Sequence, residues 1–119
     1  MKTTTRIFLV YCLLAISGAT LRAQDALPKI VETSFKVSGV CGECKERIET
    51  TLDTKGVKFA SWNQDTQMLT LAFQPKKITE EKIHNLLTEA GHATEKAEAN
   101  PVAYQNLPGC CQYESVAPH

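Results

Sequence analysis

Apolar and polar residues alternate in the first part of the chain that has a clear pattern. From Val31 to Val37, apolar or β-branched side chains occupy every second position and polar side chains lie between them. This period of two is typical of a strand with one buried face. Ser38 and Gly39 follow, and we expect the strand to end there.

A helical spacing comes next. Cys44, Ile48 and Leu52 recur four residues apart. The positions between them are mostly charged: Glu43, Lys45, Glu46, Arg47 and Glu49. The pattern predicts an amphipathic helix of about three turns. Gly56 is suited to stop it.

The remaining pattern predicts two strands, a helix and a final strand. The apolar runs 57–62 and 68–73 flank turn-forming residues, which indicates a hairpin. Thr79 is suited to cap a second helix from Glu80 to Ala90, which Gly91 would end. Residues 92–98 are long enough for a short last strand.

This order of elements predicts the fold class. Strand, helix, strand, strand, helix and strand over residues 30–98 make an α+β, ferredoxin-like βαββαβ sandwich. An irregular tail, residues 99–119, follows this domain. Asn100 and Pro101 favour the start of a short helix in the tail, and the Cys110–Cys111 pair comes after it.

The amino-terminal residues 1–23 have the pattern of a secretory signal peptide. Lys2 and Arg6 precede an apolar run, residues 7–16, which is shorter than the roughly 20 residues of a transmembrane helix. Ala19 and Ala23 are both suitable cleavage points. We therefore expect an exported protein, periplasmic rather than fully secreted, with no stable membrane insertion after cleavage.

Charge changes this picture only by excluding one partner. The full chain has 13 basic and 13 acidic residues. Loss of residues 1–23 would leave 10 basic and 13 acidic residues, a formal charge of −3. Nucleic acid is therefore not an expected partner, because phosphate binding needs a basic surface.

Cys41 and Cys44 are the main candidates for chemistry. Cys41 would lie in the loop before the first helix and Cys44 in that helix's first turn, so both thiols can face one exposed point. The amino end of a helix favours negative charge and thus the thiolate, which binds soft metals such as Cu(I), Hg(II) and Zn(II). A structural zinc site normally has four ligands. An open two-thiolate site is better suited to capture and hand over an ion.

Two other interpretations of this pair remain open. Cys-Gly-Glu-Cys resembles the Cys-Gly-Pro-Cys of thioredoxin at a helix start, so a small periplasmic thiol–disulfide oxidoreductase is the alternative. No Trp precedes Cys41, however. A purely structural disulfide is the third interpretation. The sequence shows no catalytic triad, Gly-rich phosphate loop or paired-carboxylate site, so we do not expect an enzyme.

The run from Val37 to Glu49 resembles the heavy-metal-associated domain, and the resemblance extends over residues 30–98. It implies that Cys41 and Cys44 bind the metal, with Cu(I) as the first candidate ion. It also implies a metal transporter or another metal-binding domain as partner. The signal peptide makes the periplasmic mercuric-ion-binding branch a closer parallel than the cytosolic copper chaperones.

Two features depart from that family's pattern. Gly39-Val40-Cys41 is one residue shorter than the usual Gly-Met-x-Cys, and Val40 stands where Met is common. His92 replaces the usual Tyr or Phe after Ala-Gly. The loop that holds His92 lies at the same end of this fold as the cysteine loop, which makes His92 a candidate ligand.

Cys110 and Cys111 are candidates as further ligands or as a second thiol site. Twelve residue steps separate Glu98 from Cys110, up to ~40 Å of extended chain. A seven-residue strand spans only ~23 Å, so the tail can return to the cysteine loop. The alternative is a tail that packs its Tyr104, Leu107 and Tyr113 on the domain, with incidental cysteines.

Other aromatic and histidine side chains have expected structural roles. We expect Trp62 and Phe59 to pack on the sheet face, and His84 to be a solvated helix residue.

Overall fold

The computed structural model describes residues 26–115. The predicted signal peptide lies outside the described residues. The strands are β1 (Val31–Lys36), β2 (Val57–Trp62) and β3 (Met68–Phe73). The helices are α1 (Gly42–Thr51), α2 (Glu80–Glu89) and α3 (Pro101–Gln105), followed by a 3-10 turn, Gly109–Cys111.

The three strands form one antiparallel sheet with β3 in the centre, in the order β1-β3-β2. Leu69 of β3 lies opposite Phe35 of β1 and Trp62 of β2. All three side chains are buried. Alternate residues of β3 are buried, as expected for a sheet with one face on the core.

The helices supply the other half of the core. Ile48 and Leu52 of the α1 segment and Ile83 and Leu87 of α2 are buried against the sheet residues. Thr79 caps α2 through its side-chain oxygen, which accepts a hydrogen bond from the Lys82 amide. The predicted ferredoxin-like α+β class is confirmed, and so is the predicted hairpin of β2 and β3.

The predicted last strand is wrong in extent. Thr94 makes an isolated bridge to Val37 of the segment after β1, and the chain then turns back so that the Thr94 amide donates to the Ala97 carbonyl. Because the chain turns on itself within four residues, residues 92–98 cannot continue along the edge of β1.

Two side-chain expectations are also wrong. His84 is buried, stacks on Phe35 with ring centroids 4.0 Å apart, and bonds through Nδ1 to Thr94 Oγ1 at 2.7 Å. Phe59 is 55 % exposed, next to a register shift in β2. Trp62 is buried as expected, and its indole N–H donates to the Val37 carbonyl at 3.0 Å.

The tail packs on the domain. Asn100 caps α3 by accepting hydrogen bonds from the Val102 and Ala103 amides. Leu107 is buried in the core beyond the end of α3. Among residues 26–115, none of the helices has the length and apolar character that a bilayer span requires.

Candidate metal centre

The loop before α1 is fixed by its contacts with the sheet. Gln67 lies before β3, and its side-chain amide donates to the Gly39 carbonyl at 2.6 Å. A Cβ atom at Gly39 would lie 2.8 Å from the Trp62 ring, closer than such contacts normally occur. Val40, at the position where the family commonly has Met, is buried. The shortened loop therefore directs its apolar residue into the core.

This loop brings Cys41 and Cys44 together. Cys41 is the N-cap of α1 in an extended conformation, and Cys44 lies in the helix's first turn. Their sulfur atoms are 3.4 Å apart. Cys41 is partly exposed, whereas Cys44 is fully buried. Of the two residues, Cys41 is therefore the one nearer to solvent.

A third sulfur, from the tail, completes the cluster. Cys111 ends the 3-10 turn and is fully buried, with its Sγ 3.7 Å from that of Cys41. The sulfur atoms of Cys41, Cys44 and Cys111 all lie within 4.8 Å of one another. The sequence favoured an open pair at one exposed point. In the structure the tail covers this pair.

The neighbouring Cys110 points differently. Its side chain is exposed, and its thiol donates a hydrogen bond to Glu43 Oε2 at 3.1 Å. Glu43, Cys110 and Cys111 form a second group of possible ligand atoms within 4.8 Å of one another. Cys111 thus belongs to both groups, while Cys110 belongs only to the outer one.

His92 is not brought into either group. It is fully buried, and its Nδ1–H donates to the Ser38 carbonyl at 2.9 Å. Its Nε2 has no hydrogen-bond partner among the described residues. The ring stacks on Tyr113 at 6.0 Å between centroids. In this arrangement His92 supports the backbone of the loop that leads to Cys41.

The thiols of Cys41 and Cys111 differ in their proton affinity. Burial alone would raise the pKa of Cys41, but hydrogen bonds from the Cys44 and Glu43 amides and from the Cys44 and Cys111 thiols outweigh it and lower that pKa. Burial raises the pKa of Cys111 strongly, and the neighbouring cysteines Cys44 and Cys41 add to the effect. Cys41 therefore loses its proton more readily than an ordinary cysteine, and Cys111 loses it less readily.

The outer thiol and the buried imidazole are both held neutral. The Glu43 carboxylate, which accepts a hydrogen bond from the thiol, raises the pKa of Cys110. Burial lowers the pKa of His92, although the hydrogen bond to Ser38 opposes this.

Sequence reasoning missed the residue that holds the tail in place. The Tyr113 hydroxyl donates to the Gly91 carbonyl and accepts from the Ala93 amide, both at 3.0 Å. The sequence predicts for Tyr113 only that its ring packs on the domain, in the interpretation where the tail cysteines have no role. No short pattern marks this role, because the two partners of the Tyr113 hydroxyl lie 20 and 22 positions earlier in the chain.

Comparisons with known proteins agree with this architecture. The family model described as "Heavy-metal-associated domain" matches residues 34–93, about half of the chain. No curated protein sequence matches the chain.

Solved structures share the fold of this part. A copper-binding domain from HMA7, a P-type ATPase, is 27 % identical, with a TM-score of 0.52 over 54 % of this chain and 89 % of that one. The CopZ metallochaperone is 21 % identical, with a TM-score of 0.52 over 54 % of this chain and 98 % of that one. Oxidized MerP from Ralstonia metallidurans CH34 is 18 % identical, with a TM-score of 0.52 over 56 % of this chain and 94 % of that one. With the family model's match, the chain belongs to the heavy-metal-associated domain family.

Proposed function

We propose that this protein captures a soft, thiophilic cation through Cys41 and Cys44 and passes it to the cysteines of a partner. Cu(I) is the first candidate, and Hg(II) and Zn(II) are the others. The observation that carries the proposal is the pair of sulfur atoms 3.4 Å apart at the start of α1, in a heavy-metal-associated domain. Thiolates at a helix amino end are suited to such ions.

The difference in exposure between the two thiols gives each a role. Cys41 is partly exposed and has the lowered pKa, so it is the sulfur that first meets an incoming ion. Cys44 is buried and retains the ion as a second ligand. Transfer reverses this order. A partner thiolate bonds to the ion, the Cys41 sulfur leaves, and Cys41 takes up the proton that the partner thiol has released.

The neighbours support the choice of ion and partner. One of them is a metallochaperone, and another is a copper-binding domain of a P-type ATPase. A metal transporter or another cysteine-bearing metal-binding domain is therefore the proposed partner. The amino-terminal pattern supports transfer outside the cytoplasm, in the periplasm.

Competition titration tests the metal site. Reduced protein should bind about one Cu(I) against a chromophoric Cu(I) chelator. Replacing both Cys41 and Cys44 by Ser should weaken binding by more than about 100-fold, the upper end of what changes in outer-shell partners alone cost. Cys110→Ser is the matched control, because it removes an exposed thiol next to the cluster and should leave the affinity unchanged.

The double variant must remain folded for this comparison to be valid. Cys44 is fully buried, so a Cys41→Ala, Cys44→Ala variant, which introduces no buried hydroxyl, should be titrated in parallel with circular dichroism as the check on folding. Equal Cu(I) affinity in the folded double variants and in the unmodified protein would contradict the proposal.

The same variants separate metal transfer from thiol–disulfide exchange. A thiol–disulfide oxidoreductase would reduce insulin in its metal-free form and would lose that activity in the double variant. We expect no such activity above that of free dithiol at the same concentration. Insulin reduction that depends on Cys41 and Cys44, without tight metal binding, would favour the oxidoreductase instead.

A further inference from the structure

We propose that the tail supplies Cys111 as a third thiolate, so that the ion is held by Cys41, Cys44 and Cys111 together and Cys110 stays outside. This inference rests on the proposed function, because it concerns the same ion. It changes the chemistry of the site from an open two-sulfur clamp to a three-sulfur site closed by a segment outside the family's matched range.

The distances between the sulfur atoms favour a three-sulfur site over a linear two-sulfur site. Sulfur–metal bonds of about 2.3 Å place two ligands ~4.6 Å apart in a linear site, ~4.0 Å apart in a trigonal one and ~3.8 Å apart in a tetrahedral one. The observed separations are 3.4 Å between Cys41 and Cys44 and 3.7 Å between Cys41 and Cys111. Outward movements of roughly 0.3 to 0.6 Å bring these two separations to the trigonal value, whereas a linear Cys41–Cys44 site requires roughly 1.2 Å. The third pair, Cys44 and Cys111, also lies within 4.8 Å.

The position of Cys111 is fixed from both sides. On the amino side, Leu107 is buried and the Cys111 amide donates to the Pro108 carbonyl at 2.8 Å. On the carboxyl side, Tyr113 bonds to the backbone of Gly91 and Ala93. A thiol that is held between two anchors loses little freedom when it binds an ion, which favours ligation.

The place where Cys111 is buried, beside two other thiols, supports the same assignment. The 3-10 turn brings the Cys111 thiol next to the Cys41 and Cys44 thiols, the two that match the family's cysteine motif. A cluster of three thiols within ligand distance suits a soft cation, and three sulfur ligands disfavour loss of the ion to water or to oxygen ligands. The tail would thus add a third sulfur ligand, which a partner must displace as well as Cys41 to take the ion.

Because Cys110 and Cys111 are adjacent, a substitution at one is a matched control for the same substitution at the other. Cys110 and Cys111 have the same chemistry and nearly the same place in the sequence, but Cys110 faces solvent and Glu43. Cu(I)-loaded samples of the unmodified protein, Cys110→Ser and Cys111→Ser should be compared by X-ray absorption at the copper edge and by competition titration. Cys111→Ala repeats the test without a buried hydroxyl, and circular dichroism checks that each variant is folded.

We expect three sulfur ligands in the unmodified protein and in Cys110→Ser, and two in both Cys111 variants. The affinity of the Cys111 variants should fall at least about 10- to 100-fold, the range that even outer-shell partners contribute. The same sulfur number and affinity in the Cys111 and Cys110 variants would overturn the inference. Four sulfurs that fall to three in Cys110→Ser would also overturn it, since Cys110 would then be a ligand.

Failure of this inference differs from failure of the proposed function. If Cys41 and Cys44 are needed for binding but the Cys111 variants behave like the unmodified protein, only the three-sulfur site is wrong. If the reduced protein binds no Cu(I), Hg(II) or Zn(II), or binds them equally without Cys41 and Cys44, the proposed function is wrong and the inference falls with it.

Discussion

The two cysteine pairs of this protein differ in where their side chains point. Cys41 and Cys44 are three positions apart at the start of a helix, and their sulfur atoms converge to 3.4 Å. Cys110 and Cys111 are adjacent, and their side chains separate, one exposed beside Glu43 and one buried beside Cys41. Spacing within a helical turn brings two side chains to one side, whereas neighbours in a turn point in different directions.

The difference shows what local sequence can and cannot arrange. The first pair is assembled by its own loop and helix, so its geometry depends on short-range contacts. Cys111 is positioned only because the tail docks on the loop after α2 through Leu107 and Tyr113. The second pair should therefore respond to changes at the docking surface that leave the first pair intact.

Among changes at the docking surface, Leu107→Ala should lower the free energy of unfolding most. Leu107 is 5 % exposed, and truncation of a buried leucine costs about 3 kcal/mol of the free energy of unfolding. Urea denaturation measures this cost. The sulfur number of bound Cu(I) should also fall from three to two, because the tail is released while Cys41 and Cys44 remain.

Val102→Ala in α3 is the control for that variant. Val102 is 68 % exposed, so its loss should change stability by less than about 0.5 kcal/mol and leave the sulfur number at three. Equal effects of the two substitutions would contradict the docking role given to Leu107.

Gly91→Ala should lower the free energy of unfolding by a smaller amount. Gly91 has a φ of +97°, and a Cβ atom there would lie 3.0 Å from the Ala103 carbonyl oxygen and 3.1 Å from Leu107 Cγ. The strained backbone and the contact with the tail together should cost about 2 kcal/mol. Thermal unfolding measures the loss.

Gly109→Ala separates the close contact from a general intolerance of alanine in the tail. A Cβ atom at Gly109 would meet nothing within 4 Å. We expect Gly109→Ala to change the free energy of unfolding by less than about 0.5 kcal/mol. If Gly109→Ala destabilised the protein as much as Gly91→Ala, the close approach of the tail to Gly91 would not explain the result.

The smallest effect is expected from Tyr113→Phe. The ring and its stacking on His92 remain, but the Gly91 carbonyl and Ala93 amide each lose a partner. The cost should be about 1 kcal/mol, the net contribution of such hydrogen bonds. Alkylation of Cys111 in the folded, metal-free protein should become faster, as mass spectrometry of trapped thiols would show.

Tyr104→Phe is the matched control, since its hydroxyl only accepts from the Glu114 amide at the surface. It should leave the alkylation rate of Cys111 unchanged. The role of the Tyr113 hydroxyl would be refuted by equal rates in the unmodified protein and Tyr113→Phe.

Much of the fold could be predicted because its signals are local. The alternation in β1, the hairpin turn and the cap at Thr79 each depend on a few neighbouring residues, and the structure confirms them. The last strand was predicted from length alone. No local signal opposed it, but Thr94 turns the chain back onto Ala97.

The composition of the thiol cluster could be predicted less well. The first pair follows from spacing and helix position. Which tail cysteine faces it depends on how Leu107 and Tyr113 dock, a long-range arrangement that no short pattern encodes. His84 was misjudged for the same reason, because Phe35, the residue that covers it, belongs to a distant strand.

The most direct test of the central claim is a pair of amide ¹H–¹⁵N spectra of reduced protein, before and after one equivalent of Cu(I). The account predicts large shifts for residues 40–45 at the start of α1, with a second set at residues 109–112. Amides of Val57 to Phe59, at the start of β2, should shift little. Unchanged Cys41 and Cys44 amides, with shifts elsewhere, would contradict the claim that this pair binds the ion.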